Sequence, residues 1–247
     1  MKYLLSLLVM ISCTVCRAQE KEKWRFLLEP YAMFPNMQGT TGLGNLPDAS
    51  VDEDPSDIFS NLKIGAMLYA EAKKGKWSIS SDLLYMDLNM DITSKNGIIS
   101  GESDAKQLGW ELAVLRKVLP WLEAGIGAQL NSIESGLDIV VNTAGGPSPQ
   151  SKKITETWVD PTIIARLTYP LEKKWNVLFR GNVGGFGIGS DFSWQIQLYG
   201  GYRFSPLFQI SAGYRAIGLD YETGSGNDRF LYDMVSFGPV VRFGFNF

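Results

Sequence analysis

From Phe237 to the end of the chain every second residue is Phe, Pro or Val (Phe237, Pro239, Val241, Phe243, Phe245, Phe247), while the residues between include Gly238, Arg242, Gly244 and Asn246. In an extended strand that period puts the apolar set on one face and the rest on the other. The pattern recurs throughout. Trp24, Phe26, Leu28, Ala32 and Phe34 alternate with Arg25, Glu29 and Tyr31; Leu62, Ile64, Ala66, Leu68 and Ala70 alternate with Lys63, Gly65, Tyr69 and Glu71. Trp77, Ile79, Leu83 and Tyr85 oppose Ser78, Ser80 and Asp82. Leu108, Trp110, Leu112 and Val114 oppose Gln107, Gly109, Glu111 and Ala113. Further strands are expected over 122–131, with Glu123 among its polar set, 159–169, with Asp160 and Arg166, 175–183, with Arg180, 194–202 and 208–215, with Arg215.

The connections alternate between long and short. Polar stretches at 35–61, 89–106 and 135–153 are long, whereas KKGK at 73–76, the reversal at Pro120, PLEKK at 170–174 and SP at 205–206 are short. Segments of about ten residues joined in this way are the signature of a transmembrane barrel with long outer loops and short periplasmic turns. Aromatics stand where short turns meet strands (Trp24, Trp77, Trp121, Tyr169, Trp175, Phe204, Phe208, Phe245, Phe247), as an interfacial girdle requires. The prediction is an all-β fold: one antiparallel up-and-down transmembrane barrel of about ten strands, with eight as the alternative.

A soluble sandwich or barrel would also alternate, with its apolar face turned inward. Charges recurring on the second face at Glu71, Glu123, Arg166 and Arg180, and Trp and Tyr at strand ends, favour the membrane form. No stretch after residue 19 is apolar for 18 residues, so the chain crosses with strands or not at all. Pro30, Pro161 and Pro239 fall inside expected strands, where each removes a ladder donor, and are assigned to bulges or rims.

Residues 1–18 have a positive start at Lys2, an apolar run from Tyr3 to Val15 and small residues at Cys16 and Ala18. They read as a signal peptide cut after Ala18, leaving 19–247 as the barrel; a lipoprotein cut at Cys13 is the alternative. Both cysteines then leave with the leader, and stability falls to the sheet. A net charge of -3 with scattered Lys and Arg excludes nucleic acid as a partner.

The closing aromatic strand ending on Phe247 resembles that of Gram-negative outer-membrane barrels, where such an ending is read by the barrel-assembly machinery. LEPYAMFPNMQGTTGLG from Leu28, WVDP at 158–161, GGFGIGSDFSWQ at 184–195 and GYR at 213–215 resemble a family of uncharacterised Gram-negative outer-membrane β-barrel proteins, loosely OmpW-like small barrels in plan. The resemblance implies the cell outer membrane as location and outer-membrane lipid as surroundings. It implies no catalytic residue and no cofactor.

The chain contains no histidine. That removes Ser-His-Asp and Cys-His pairs, the His-Asp pair of omptin proteases and most zinc sites. Carboxylates remain. Glu29, Glu71, Asp82, Glu111, Glu123 and Asp160 share the polar face with Arg25, Lys63, Arg166, Arg180 and Arg215. Similar numbers of opposite charges are what a side-chain-filled lumen needs, so these residues are expected to line a charge-compensated plug rather than to form a catalytic pair. The acidic cluster Asp48, Asp52, Glu53, Asp54 and Asp57 lacks EF-hand spacing and reads as a solvated loop, with calcium as the alternative. GGFGIG lacks G-x-G-x-x-G spacing and reads as a tight turn.

Three functions stay open. The first is a non-enzymatic barrel, structural or passing small solutes through a narrow polar interior. The second is a binding protein working through its long loops. The third is a membrane-embedded hydrolase with paired carboxylates.

Overall fold

The computed structural model describes residues 23–93, 99–143 and 145–247. The expected leader, 1–18, lies outside the described residues. The strands are β1 (Arg25–Met33), β2 (Asn36–Leu43), β3 (Ala49–Glu53), β4 (Leu62–Lys74), β5 (Trp77–Thr93), β6 (Ile99–Leu119), β7 (Leu122–Thr143), β8 (Gly146–Pro170), β9 (Trp175–Gly185), β10 (Phe192–Arg203), β11 (Phe208–Thr223) and β12 (Phe230–Asn246). A helix, α1 (Pro55–Ser60), precedes β4.

Ten strands, β1 and β4 to β12, pair antiparallel with their chain neighbours, and β1 pairs with β12 to close the sheet. Along the stretch where β1 pairs with both β4 and β12 the sheet has no edge, which is the condition for it to sit in hydrocarbon. The seam is tied at its base by Phe247 N–H to Phe26 O (2.9 Å) and Phe26 N–H to Phe247 O (3.0 Å).

The apolar stripes face outward. Ile126 is 69% exposed, Ile163 58% and Ile79 49%, while the alternate positions Ser78, Ser80, Thr162 and Ile164 are buried and Gly125 and Gly127 half-buried. Trp24, Trp77, Trp121, Tyr169, Trp175, Phe204 and Phe247 ring the short-turn end. The exterior is therefore a lipid-facing belt with an aromatic girdle, and at the level of that belt the inside is polar.

Two of the long polar segments are not loops. The β5–β6 and β7–β8 hairpins run well past the belt, because 89–93 pairs with 100–104 and 132–143 with 146–157, as their alternation allows. The segment 35–61 is also ordered: β2 continues β1 along β12, β3 folds back on β2, and α1 follows. Asp54 caps α1, accepting from Ser56 N–H at 2.7 Å and Asp57 N–H at 3.0 Å, with Pro55 at the first helical position. Propensity alone would not place a six-residue helix in so polar a stretch.

The β1–β4 ladder stops at Pro30↔Leu68, so the upper part of β4 is not paired with β1. Phe59 of α1 stands at this gap against Phe34, ring centroids 5.3 Å apart, while Ile58 is buried on the inner side. The prolines follow the same logic. Pro161 lies just beyond the end of the β8–β9 ladder, and Pro239 lies between the β1-paired and β2-paired halves of β12. Each proline thus sits where one neighbour has no ladder to complete.

Candidate functional site

The inward stripes of the membrane half converge on a network of four arginines, Arg166, Arg180, Arg215 and Arg242, all buried. Alternation places them there. Arg166 lies between outward Ala165 and Leu167, and Arg242 between Val241 and Phe243.

Arg166 is the most fully engaged. Its Nε donates to Glu123 Oε2 (2.7 Å), one terminal nitrogen to Glu71 Oε1 (2.6 Å) and Ser78 Oγ (3.1 Å), and the other to the Tyr69 hydroxyl (3.0 Å). Lys73 joins from the periplasmic side, 3.3 Å from Glu71 and 3.8 Å from Glu123. Arg180 and Asn182 both donate to Glu111. Arg215 donates to Gln195 Oε1 (2.6 Å) and the Tyr31 hydroxyl (2.7 Å), and pairs with Asp82 at 3.2 Å. Tyr31 donates in turn to Asp82 Oδ1 (2.8 Å). Arg242 donates to the Tyr199 hydroxyl (3.1 Å) and Gln197 Oε1 (3.3 Å) and reaches Glu29 at 3.5 Å. Its guanidinium lies 4.3 Å from the Tyr199 ring centre and 5.0 Å from those of Tyr31 and Tyr69, within cation–π range.

Four arginines face five carboxylates here: Glu29, Glu71, Asp82, Glu111 and Glu123. A buried charge is tolerated only when paired and hydrogen-bonded, and every carboxylate of this set has a cation against it. This packing fills the lumen with side chains, as small barrels do.

Asp160 belongs elsewhere. It accepts from Ser190 N–H (2.6 Å), Ser190 Oγ (2.7 Å) and Asn131 Nδ2 (3.0 Å), and Ser190 Oγ also accepts from Trp158 Nε1 (2.7 Å). Trp158 stacks on Tyr221 with centroids 3.8 Å apart. The WVDP and GGFGIGS stretches thus meet, Asp160 clamping the β9–β10 turn. Glycine is needed at 189, where a Cβ would stand 2.4 Å from Asp160 Oδ1 and 2.6 Å from Val159 O. Gly185 and Gly187 take φ of +84° and +71°.

Two expected lumen residues are placed otherwise. Arg25 is exposed at the periplasmic rim, and Lys63, at a bulge in β4, pairs with Asp104 at 3.2 Å near the outer end. Sequence reasoning omitted Arg242, Tyr31, Tyr69, Tyr199, Gln195 and Gln197 from the network. Their inward parity was readable, but selecting charged residues passed over tyrosines and glutamines, which supply most of the uncharged partners.

The acidic residues around 48–57 have separate duties. Asp54 caps α1, Asp52 accepts from Gln38 (2.9 Å), and Asp48 pairs with Arg229 at 2.6 Å. The Arg229 guanidinium holds the Asp48 carboxyl below its usual range. Burial first, then Asp57, Asp54 and Asp52, push the Glu53 carboxyl up.

No family model matches the sequence, and no curated protein matches it. Solved structures are similar in fold. The outer membrane protease OmpT from Escherichia coli aligns with a TM-score of 0.54 at 10% identity, over 92% of this chain and 97% of that one. Ail, the attachment invasion locus protein of Yersinia pestis, aligns with a TM-score of 0.40 at 10% identity, over 92% and 99%. The toluene transporter TodX of P. putida aligns at 0.35 and 10%, over 91% and 90%. The fold is that of an outer-membrane β-barrel, and with its closed sheet and lipid-facing belt the protein lies in the outer membrane.

Proposed function

We propose that this chain is a non-enzymatic outer-membrane barrel whose membrane-level lumen is sealed, so that its work is done at the extracellular half. The arginine network carries this reading. Arg166 alone engages Glu71, Glu123, Tyr69 and Ser78, and Arg215 and Arg242 are similarly tied, while Arg180 is held through Glu111, with its Nε and one terminal nitrogen buried without a hydrogen-bond partner. Moving an ion through would require breaking several buried pairs, each costing about 3–5 kcal/mol when one partner is lost. Wide channels belong to barrels of about 16 to 18 strands.

Pairing of each network carboxylate with a cation weighs against an acid–base pair, which needs one carboxyl free to hold a proton. With no histidine, the likeness to a protease fold brings none of the omptin His-Asp chemistry. The loosely OmpW-like plan fits a small sealed barrel equally. Outer-membrane lipid surrounds the belt, and the barrel-assembly machinery is the partner to which the terminal Phe247 is offered; nucleic acid is not a partner.

Recording from refolded protein in planar bilayers tests the sealed lumen. The expectation is no stepwise conductance at any holding voltage. Reproducible unitary currents from the wild-type chain would refute it.

A further inference from the structure

The inward stripe changes character partway up the barrel. On β5 it runs Ser80, Asp82, Leu84, Met86, Leu88; on β11 it runs Arg215, Ile217, Leu219, Tyr221. Charged positions lie at membrane level, and buried apolar ones lie above them. The outward stripe of β5 makes the opposite change, from Leu83 and Tyr85 to Asp87, which marks the outer edge of the lipid belt. Above that edge the outer face meets water, and the interior turns apolar as in a water-soluble barrel. It is not filled, however. A cavity of about 580 Å³ lies between Met37, Ile58, Met86, Ile133, Tyr232 and Met234. That volume is within the range of small-molecule sites, and four methionines, Met90 with the three named, give walls that adapt to a ligand's shape.

The charges around it have one sign left over. Glu53, Asp57, Asp91, Asp104 and Lys106 border the cavity. Lys106 is taken by Glu134 at 3.0 Å and Asp104 by Lys63 at 3.2 Å. Among the described residues no cation lies within ion-pair distance of Glu53, Asp57 or Asp91. Glu53 is cross-strand from Met37 and shares its inward face. Such a rim repels anions, so fatty acids and lipid phosphates are poor occupants, and it attracts a cation placed beside the Tyr232 ring.

We propose that this chamber is a binding site for a small apolar molecule, aromatic or aliphatic, carrying an uncharged or cationic polar group. The wall that encloses it is partly α1, whose Ile58 is one of its sides. The site goes beyond the sealed-lumen reading and is tested by a separate readout: conductance probes the plug, binding probes the chamber.

The full chain in nanodiscs is titrated calorimetrically with three probes sharing one ring system, 2-naphthylmethylamine, 2-naphthylmethanol and 2-naphthoate, with empty nanodiscs subtracted. The amine and the alcohol are expected to bind at one site per barrel, with naphthoate at least about tenfold weaker than the amine at low ionic strength. Glu53→Gln should narrow the gap between amine and carboxylate while leaving the alcohol unchanged. Met234→Trp, which fills the cavity, should abolish saturable binding of all three; Ile133→Phe serves if that variant does not fold. Naphthoate binding as tightly as the amine, no saturable wild-type binding of amine or alcohol, or unchanged affinity in the filled variant would each overturn the proposal.

Discussion

Replacing Arg166 with Met probes the plug at its best-connected point. The side chain is 2% exposed, and its loss leaves Glu71 and Glu123 buried with Lys73 as their remaining cation, itself 33% exposed and on a flexible stem. Breaking a buried pair by removing one partner costs about 3–5 kcal/mol, because the surviving charge stays desolvated. Two carboxylates are stranded here, which argues for the upper end, and Lys73 offsets part, so a loss of about 4 kcal/mol is expected. The Tyr69 hydroxyl and Ser78 Oγ also lose their partner, a smaller loss contained in the same figure. Equilibrium urea unfolding in lipid vesicles, followed by tryptophan fluorescence, measures it. The triple variant Arg166→Met, Glu71→Gln, Glu123→Gln should recover most of the loss, since no fully buried charge remains unpaired and Lys73, a third exposed, keeps access to water. A single variant within about 1 kcal/mol of wild type, the range of an exposed pair, would refute the reasoning.

Three further outcomes follow from other parts of the molecule. Asp160→Ala removes the acceptor for Ser190 N–H, Ser190 Oγ and Asn131, and should cost about 2 kcal/mol and raise hydrogen exchange in 185–190; unchanged exchange there would count against the clamp. Asp54→Ala removes the α1 cap, worth about 1 kcal/mol locally, and should speed exchange in 56–61 while the urea midpoint of the barrel stays put. The Asp48–Arg229 contact should be pH-sensitive in one direction. Its folded carboxyl titrates below the unfolded one, so the contact contributes fully above the unfolded value, near 4, and is lost as pH falls through the lower folded one. Exchange over 44–49 should therefore rise only at acid pH, and a rise between pH 6 and 8 would contradict this.

The barrel was legible because lipid outside and polar groups inside impose a period of two on every strand, and strands such as β8 and β12 obey it throughout. The plug was legible as far as charge goes: Glu123, Arg166 and Arg180 announce themselves by standing between apolar neighbours. What escaped depends on registers between strands distant in sequence. Nothing local to Tyr69 says that it meets Arg166, or that Asp160 turns away from the arginines to hold Ser190. The chamber escaped for the same reason: Met37, Met86 and Met234 lie on three strands, and only closure brings them around one space. The order in 35–61 was hidden by a composition of Gly, Asp and Pro that also describes a loop.

The orientation of the stripes can be read directly on β8, by placing single spin labels at 162, 163, 164 and 165 in lipid vesicles and comparing collision with oxygen, which concentrates in hydrocarbon, against a water-soluble nickel complex. Labels at 163 and 165 should collide with oxygen alone, and labels at 162 and 164 should be shielded from both. Access of the nickel complex to 163 and 165, with oxygen preferring 162 and 164, would contradict the account.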